Sequence, residues 1–237
     1  MSPALHSALP LIISDLDGCL VNVMDELLDF LWREFKVALT PQDCHCYNIA
    51  EAFAPHFKGK LPIMAMNLPI GSAQLVLSTL LSEQVWSQPW PYHDAKPHWD
   101  VHQLFRTLLD AGGQVDFMTA RPSSNDVAET TCQWLHNWGY ADSEVKFAKD
   151  YRGGKLGIVE DALETLISFS PVGPAVLSRP LWVLEDDPAV AEKIALELGK
   201  HVDVFMPDRP WTQKYWKLTS GAVKRRYIEQ ELQEILG

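Results

Sequence analysis

Asp15 and Asp17 stand two residues apart, with one residue between them, where the apolar run LIIS ends and directly before a glycine, in the stretch LIISDLDGCLV. Carboxylates held this close at the edge of a core repel each other and lose hydration, a cost that a bound cation or a reacting anion offsets. Other polar groups follow apolar runs in the same way. Thr119, Ala120 and Arg121 come after QVDFM, Glu185, Asp186 and Asp187 come after LWVL, and Lys155 follows Gly153-Gly154. A hydroxyl, a lysine and several carboxylates suit phosphoryl transfer. A carboxylate can attack phosphorus, the donors can hold its equatorial oxygens, and Mg2+ on oxygen ligands reduces the repulsion between the two anions. Asp15 is the candidate nucleophile and Asp186 the candidate metal ligand.

These residues need a scaffold that gathers them. Residues 11–14, 114–118, 145–148, 181–184 and 202–205 are short apolar or β-branched runs, as strands buried on both faces require. Between them, 99–109, 127–138, 156–169 and 189–198 have helical spacing, with glycines at three exits and Asp187-Pro188 at one entrance. A further helix is expected over 222–236. Strand alternating with helix predicts an α/β fold, a Rossmann-like doubly wound parallel sheet whose ligands bind beyond the carboxyl ends of the strands.

The interval 21–97 is too long for one crossover and must carry its own structure. Helices are expected over 23–39 and 72–86, with Thr40-Pro41 starting another between them. The expected organisation is a core of residues 1–20 and 91–237 with a small, mainly helical cap at 21–90. Residues 168–180, rich in proline and serine, read as an irregular loop.

DLDGCL, the TARP segment, a lysine at a helix start and LEDDP resemble, over about residues 11–205, the four motifs of the haloacid dehalogenase superfamily of aspartate-nucleophile phosphatases. The usual first motif has threonine where this chain has Cys19, a change expected to be harmless. The resemblance implies that Asp15 is phosphorylated, and that Asp17 protonates the leaving oxygen and later activates water. It implies that Thr119 bonds a phosphoryl oxygen, while Lys155 steadies nucleophile and phosphate. Ala120 and Arg121 follow Thr119 as candidate substrate contacts, and Arg121 would either grip the phosphate or pair with a surface acid. Mg2+ would be held by Asp15, the main-chain carbonyl of Asp17 and Asp186, with Glu185 nearby. Glu185-Asp186 occupies the place of an aspartate pair, which leaves the register of the ligand open. Lys149 is the alternative to Lys155, and the anion-favouring start of a helix recommends Lys155. Asp187, before Pro188, is more simply a helix cap.

The helical insertion resembles the cap of the nucleotidase-like branch, including the deoxyribonucleotidases. This implies a small phosphorylated substrate such as a (deoxy)nucleoside monophosphate. Phe53, Phe57, Trp86 and Trp90 would stack on a base or form the core of the cap. MTARP and LEDDPAVAE also resemble the phosphatase half of polynucleotide kinase, a second reading. A third is a phosphate-binding scaffold of the same fold that turns nothing over.

The 237 residues carry 20 lysines and arginines against 31 acids, a net charge of −11 that disfavours a long phosphate backbone as partner. Residues 61–82 lack charge, but prolines, a glycine and hydroxyl residues interrupt them, so no membrane span is expected. With no secretory pattern in MSPALHSALP, the expected location is the cytoplasm. The DxDG stretch fails as a calcium loop, because Cys19 and Leu20 stand at the positions of an oxygen ligand and a glycine. Cys44, His45 and Cys46 lack a second pair with zinc spacing, so the four cysteines read as reduced thiols. Trp134 and Trp138, four apart, read as structural.

Overall fold

The computed structural model describes residues 9–57, 70–149, 153–168, 179–217 and 223–225. In chain order the strands are β1 (Leu11–Asp15), β2 (Val21–Asn22), β3 (Lys96–Pro97), β4 (Gln114–Thr119), β5 (Val145–Phe147), β6 (Leu181–Leu184), β7 (Val202–Met206) and β8 (Val223–Arg225). The α-helices are α1 (Val23–Phe35), α2 (Ile49–Phe53), α3 (Ile70–Leu81), α4 (Trp90–His93), α5 (Trp99–Asp110), α6 (Asn125–Asn137), α7 (Gly153–Ser168) and α8 (Pro188–Leu198).

Six strands form one parallel sheet in the order β5-β4-β1-β6-β7-β8. The chain builds outward from β1 through β4 to β5, then returns to the other side of β1 with β6. That reversal opens a crevice at the carboxyl end of β1, where Asp15 stands. Strand periodicity sorts the core. Ile12, Trp182, Leu184, Val115, Phe117 and Phe205 pack with α5 and α6 on one face. Leu11, Ile13, Leu181, Val183, Val204 and Met206 pack with α7 and α8 on the other. Both faces are dry, which is why the strands read as continuous apolar runs.

A third core belongs to the segment between β2 and β3, which pair antiparallel where the chain leaves the sheet layer and where it returns. Leu27, Phe30, Leu31, Phe53, Phe57, Leu77 and Leu81 fill it. The first helix expected here stops at Phe35, because Lys36 turns left-handed (φ 56°) and closes the helix with its own N–H on Leu31 and Trp32. Thr40-Pro41 starts only a 3₁₀ turn, Pro41–Asp43, whose Asp43 carboxylate caps Thr40. Helix α3 runs on as a π-helical turn over Ser82–Trp86.

The helix expected over 222–236 needs correcting at its start. Val223–Arg225 is strand β8, extending the sheet beside β7, with Val223 buried opposite Val204. A β-branched residue fitting the open edge of a formed sheet outweighs the helical periodicity downstream. The remaining residues of that helix, and 169–178 of the expected loop, lie outside the described residues. Trp134 and Trp138 stack 5.9 Å apart against the core. Among the described residues no helix is long and apolar enough to cross a membrane.

Candidate functional site

Asp15 is the last residue of β1, and the chain turns back immediately after it. Leu20 and Val21 both donate their N–H groups to the carbonyl of Leu16, at 2.9 and 2.7 Å, and Gly18 donates to Val21 at 3.0 Å. Gly18 supplies the left-handed conformation (φ +79°), and a Cβ added there would stand 1.9 Å from Oδ2 of Asp186. The turn therefore needs glycine twice over, for its backbone and for the carboxylate lying across it.

Lys155, in the first turn of α7, reaches beneath this turn. Its Nζ lies 2.9 Å from Oδ2 of Asp15, and 3.0 and 2.9 Å from the two oxygens of Glu185. All three side chains are buried. Burial opposes the charge on Lys155, but Asp15, Glu185 and Asp186 around it hold its ammonium well above the ordinary range. Burial pushes Asp15 up, Asp17 adds to this, and Lys155 pulls it back only in part. Glu185 rises to about 8, again chiefly through burial. Lys149 is exposed beyond β5, and it is Lys155 that occupies the pocket.

Asp17 has a separate partner. Arg121 Nε lies 3.0 Å from its Oδ2 and Nη2 lies 2.5 Å from its Oδ1, a fork-to-fork pair. The same guanidinium donates to Thr131 Oγ1 at 3.0 Å and stacks on the ring of Tyr92, with Cζ 3.9 Å from the centroid. Burial works against the charge on Arg121, but Asp17 outweighs it and the net shift is upward. Arg121, expected at the substrate, thus spends its donors on Asp17 and Thr131. Thr119 is fully buried, and its Oγ1 accepts from the N–H of Arg121 at 3.1 Å. Ala120 lines the adjacent cavity.

Asp186 reaches the same place from the end of β6. Its Oδ2 accepts a 2.8 Å bond from the indole N–H of Trp211, and its Oδ1 is buried with no hydrogen-bond partner among the described residues. Burial, Asp15 and Glu185 push this carboxyl well above the usual range. An oxygen of Asp186, an oxygen of Asp15 and the Sγ of Cys19 all lie within 4.8 Å of one another. Glu185 is committed to Lys155 and to the N–H of Asp187 at 3.0 Å, which leaves Asp186 as the acid of the pair with an oxygen open to a ligand. Asp187 caps α8 through the N–H of Ala189 at 2.8 Å. Two buried carboxylates contact the Lys155 ammonium, and a third, Asp186, stands beside Asp15 with one oxygen unpartnered among the described residues. That donor set fits a divalent cation.

Sequence reasoning missed Tyr92, Arg209 and Trp211. Arg209 donates to the carbonyls of Gly18 (3.0 Å) and Cys19 (3.2 Å) and pairs with Asp100, clamping the turn that carries the acids. Arg209 and Trp211 follow β7, so the rule that strand ends carry function reaches them. Tyr92 carries no local signal. A cavity of about 650 Å³ opens over Asp15 and Asp17, with Tyr47, Asn48, Ser78, Ser82 and Trp86 on its insertion side. Phe53 and Phe57 are buried in the insertion core and Trp90 packs on Phe30, so of the four aromatic candidates Trp86 faces the cavity.

No protein-family model matches the sequence, and no curated protein matches it. Solved structures share the fold along nearly the whole chain. A haloacid dehalogenase family hydrolase from Deinococcus radiodurans, holding phosphate and sodium, is 13% identical with a TM-score of 0.56 over 97% of both chains. A candidate phosphoglycolate phosphatase from Lactobacillus delbrueckii subsp. bulgaricus is 11% identical with a TM-score of 0.55 over 97% of both. A haloacid dehalogenase-type hydrolase candidate from Bacillus subtilis, bound to magnesium, is 13% identical with a TM-score of 0.51, covering 97% of this chain and 99% of its own. This chain has the haloacid dehalogenase fold.

Proposed function

We propose that the chain is a magnesium-dependent phosphomonoester hydrolase working through a phosphorylated Asp15. One observation carries the reading: Lys155 Nζ is held 2.9 Å from Asp15 in a dry pocket, beside the unpartnered Oδ1 of Asp186, at the floor of a cavity large enough for a small ester. Asp15 would attack phosphorus, forming an oxygen–phosphorus bond as the ester bond breaks, and Asp17 would give the leaving oxygen its proton. Water then attacks the phosphoryl group, its proton goes to Asp17, and Asp15 returns as the carboxylate with release of inorganic phosphate. Lys155 steadies the attacking carboxylate and the incoming phosphoryl oxygens.

Mg2+ would be held by Asp15, Asp186 and the main-chain carbonyl of Asp17, and when bound it supplies positive charge to the phosphoryl oxygens. Burial first, and neighbouring carboxylates second, push the pKa of Asp15 and Asp186 up, a penalty on their charged forms that such an ion would offset. Phosphate in the Deinococcus structure and magnesium in the Bacillus one accord with this reading.

Arg121 grips Asp17 in a bidentate pair at the floor of the cavity, and this orients the carboxylate toward the place of the leaving group and of water. A phenol, an amide, two hydroxyls and an indole face the cavity from the insertion, which suits an uncharged, hydroxylated or ring-bearing leaving group such as a nucleoside. The names of the similar structures do not bear on a nucleotidase, so this assignment rests on the motifs and the cavity. Release of inorganic phosphate from nucleoside 5′- and 3′-monophosphates, sugar phosphates and phosphoglycolate, with and without Mg2+, tests it. A nucleotide preference is expected, and a preference for phosphoglycolate would overturn the substrate assignment. Absence of any turnover with Mg2+ would overturn the hydrolase reading.

A further inference from the structure

Cys19 sits in the last place in the fold where chemistry would leave a thiol unused. It is a free cysteine, fully buried, held by a turn whose carbonyls Arg209 clamps. Its Sγ lies within 4.8 Å of carboxylate oxygens of both Asp15 and Asp186. With bonds of about 2.0 to 2.3 Å to oxygen and sulfur, ligands on opposite sides of one ion stand a little over 4 Å apart, so this group needs only small side-chain rotations to close on one ion. A second observation points to a ligand independently of the thiol: Asp186 is 4% exposed, its Oδ1 has no partner among the described residues, and its Oδ2 is fixed by Trp211. The other buried thiols are engaged elsewhere, Cys44 with the carbonyl of Cys46 and Cys46 with that of Asn48.

We propose that Cys19 makes this pocket a mixed sulfur–oxygen site, where a thiophilic divalent ion such as Zn2+ or Co2+ binds Asp15, Asp186 and the Cys19 sulfur in competition with Mg2+. Magnesium uses oxygen donors alone and ignores the thiol, whereas zinc and cobalt gain a strong bond to it. On binding, the metal–sulfur bond forms, the sulfur–hydrogen bond breaks, and the proton passes to solvent. An ion held by the nucleophile and this thiolate occupies the place of the activating one, so micromolar zinc blocks turnover through the same residues. The inference deepens the magnesium-assisted reading and rests on it for the existence of a cation site.

Spectroscopy on the full, metal-stripped chain separates the two ideas. Titration with CoCl2 is expected to give a near-ultraviolet thiolate-to-cobalt charge-transfer band saturating at one equivalent. The band should vanish in Cys19→Ser and in Asp186→Asn, persist in Cys132→Ser, and bleach on adding ZnCl2 or excess MgCl2. By calorimetry, Cys19→Ser should weaken zinc about tenfold or more while changing magnesium less. Circular dichroism checks that each variant folds, and Asp186→Asn keeps the test open should Cys19→Ser not fold. Magnesium binding in calorimetry with no cobalt band overturns the thiol's role and leaves the magnesium site standing. A band unchanged in Cys19→Ser also overturns it. A Cys19-dependent band in a protein that magnesium does not activate supports the thiol site and removes the hydrolase reading.

Discussion

Asp15 and Asp17 leave the same strand end two residues apart, yet they meet different cations in different surroundings. Asp15, with a side chain 5% exposed, shares the point charge of Lys155 with Glu185 at the deepest, most buried part of the cavity lining. Asp17, 29% exposed, has the planar fork of Arg121 to itself at the floor of an open cavity. Under the proposed mechanism, the contrast suits one short motif to two roles. A nucleophile benefits from a desolvated oxygen aimed by a compact ammonium, and an acid–base needs access to a leaving group and to water.

The largest expected effect breaks the pair apart. Asp15→Asn should abolish both turnover and phosphorylation of the protein. Asp17→Asn should lower steady-state turnover by about 10² to 10⁴-fold. With an aryl phosphate, whose leaving group needs no proton, it should still give a stoichiometric burst of phenol and trap label on Asp15. Rapid-quench kinetics with mass spectrometry reads both outcomes, and a burst in Asp15→Asn would reverse the assignment.

Next comes stability. Lys155→Met leaves Asp15 and Glu185 buried without their ammonium and should cost about 3 to 5 kcal/mol. Arg121→Met frees an Asp17 that can turn toward the cavity and should cost less, roughly 1.5 to 3 kcal/mol, the worth of hydrogen bonds to a charged group. Urea melts of the two variants at neutral pH give the comparison. Equal costs would mean that Asp17 is as dry as Asp15, against the cavity geometry.

Much of this contrast was legible before any coordinates. The five apolar runs became strands β1, β4, β5, β6 and β7 within a residue or two, because burial on both faces leaves little choice of pattern. Strand ends then placed Asp15, Thr119 and Asp186, and the helix start placed Lys155. The partners of those residues stayed hidden. Arg121 reaches Asp17 across 104 positions, and Trp211 reaches Asp186 across 25. Arg209 clamps Gly18 across 191. No local spacing encodes such pairings; they exist only once the sheet order brings β1, β4, β6 and β7 side by side. Strand β8 was hidden for a related reason, since three residues show no period until the edge beside β7 exists to receive them.

Trp211 sharpens the comparison from the metal side. Its ring packs in the insertion core while its N–H fixes Asp186, so it links the cap to the buried acid. Trp211→Phe keeps the packing and removes the bond. Calorimetry should show Mg2+ affinity about 10-fold weaker, the lower end for losing a partner of a ligand. The Asp17–Arg121 pair should be untouched, so turnover of an aryl phosphate at saturating Mg2+ should survive. An unchanged affinity would mean that Asp186 is positioned by the turn at Gly18 alone.

The smallest effect is a slope against pH, where two regions pull in opposite directions. His98 lines the cavity with its Nε2 buried, and burial, reinforced by Arg209, pushes its pKa from 6.5 down to about 3. Between those values the unfolded chain binds a proton that the folded one refuses, so this residue makes stability rise with pH from about 3 to 6.5. Glu185 does the reverse. Raised by burial from 4.5 to about 8, it keeps its proton in the folded state while the unfolded chain ionises, so stability falls as pH rises through that window. From 4.5 to 6.5 the two oppose each other, and above 6.5 only the decline remains. His98→Gln should therefore uncover a steady fall from 4.5 upward in urea melts taken across pH. Added Mg2+, by balancing the carboxylates, should flatten that fall in the variant and in the native chain alike. A variant whose profile matches the native one would show that solvent reaches His98, and would place the boundary between the dry and the open halves of the site nearer to Asp15.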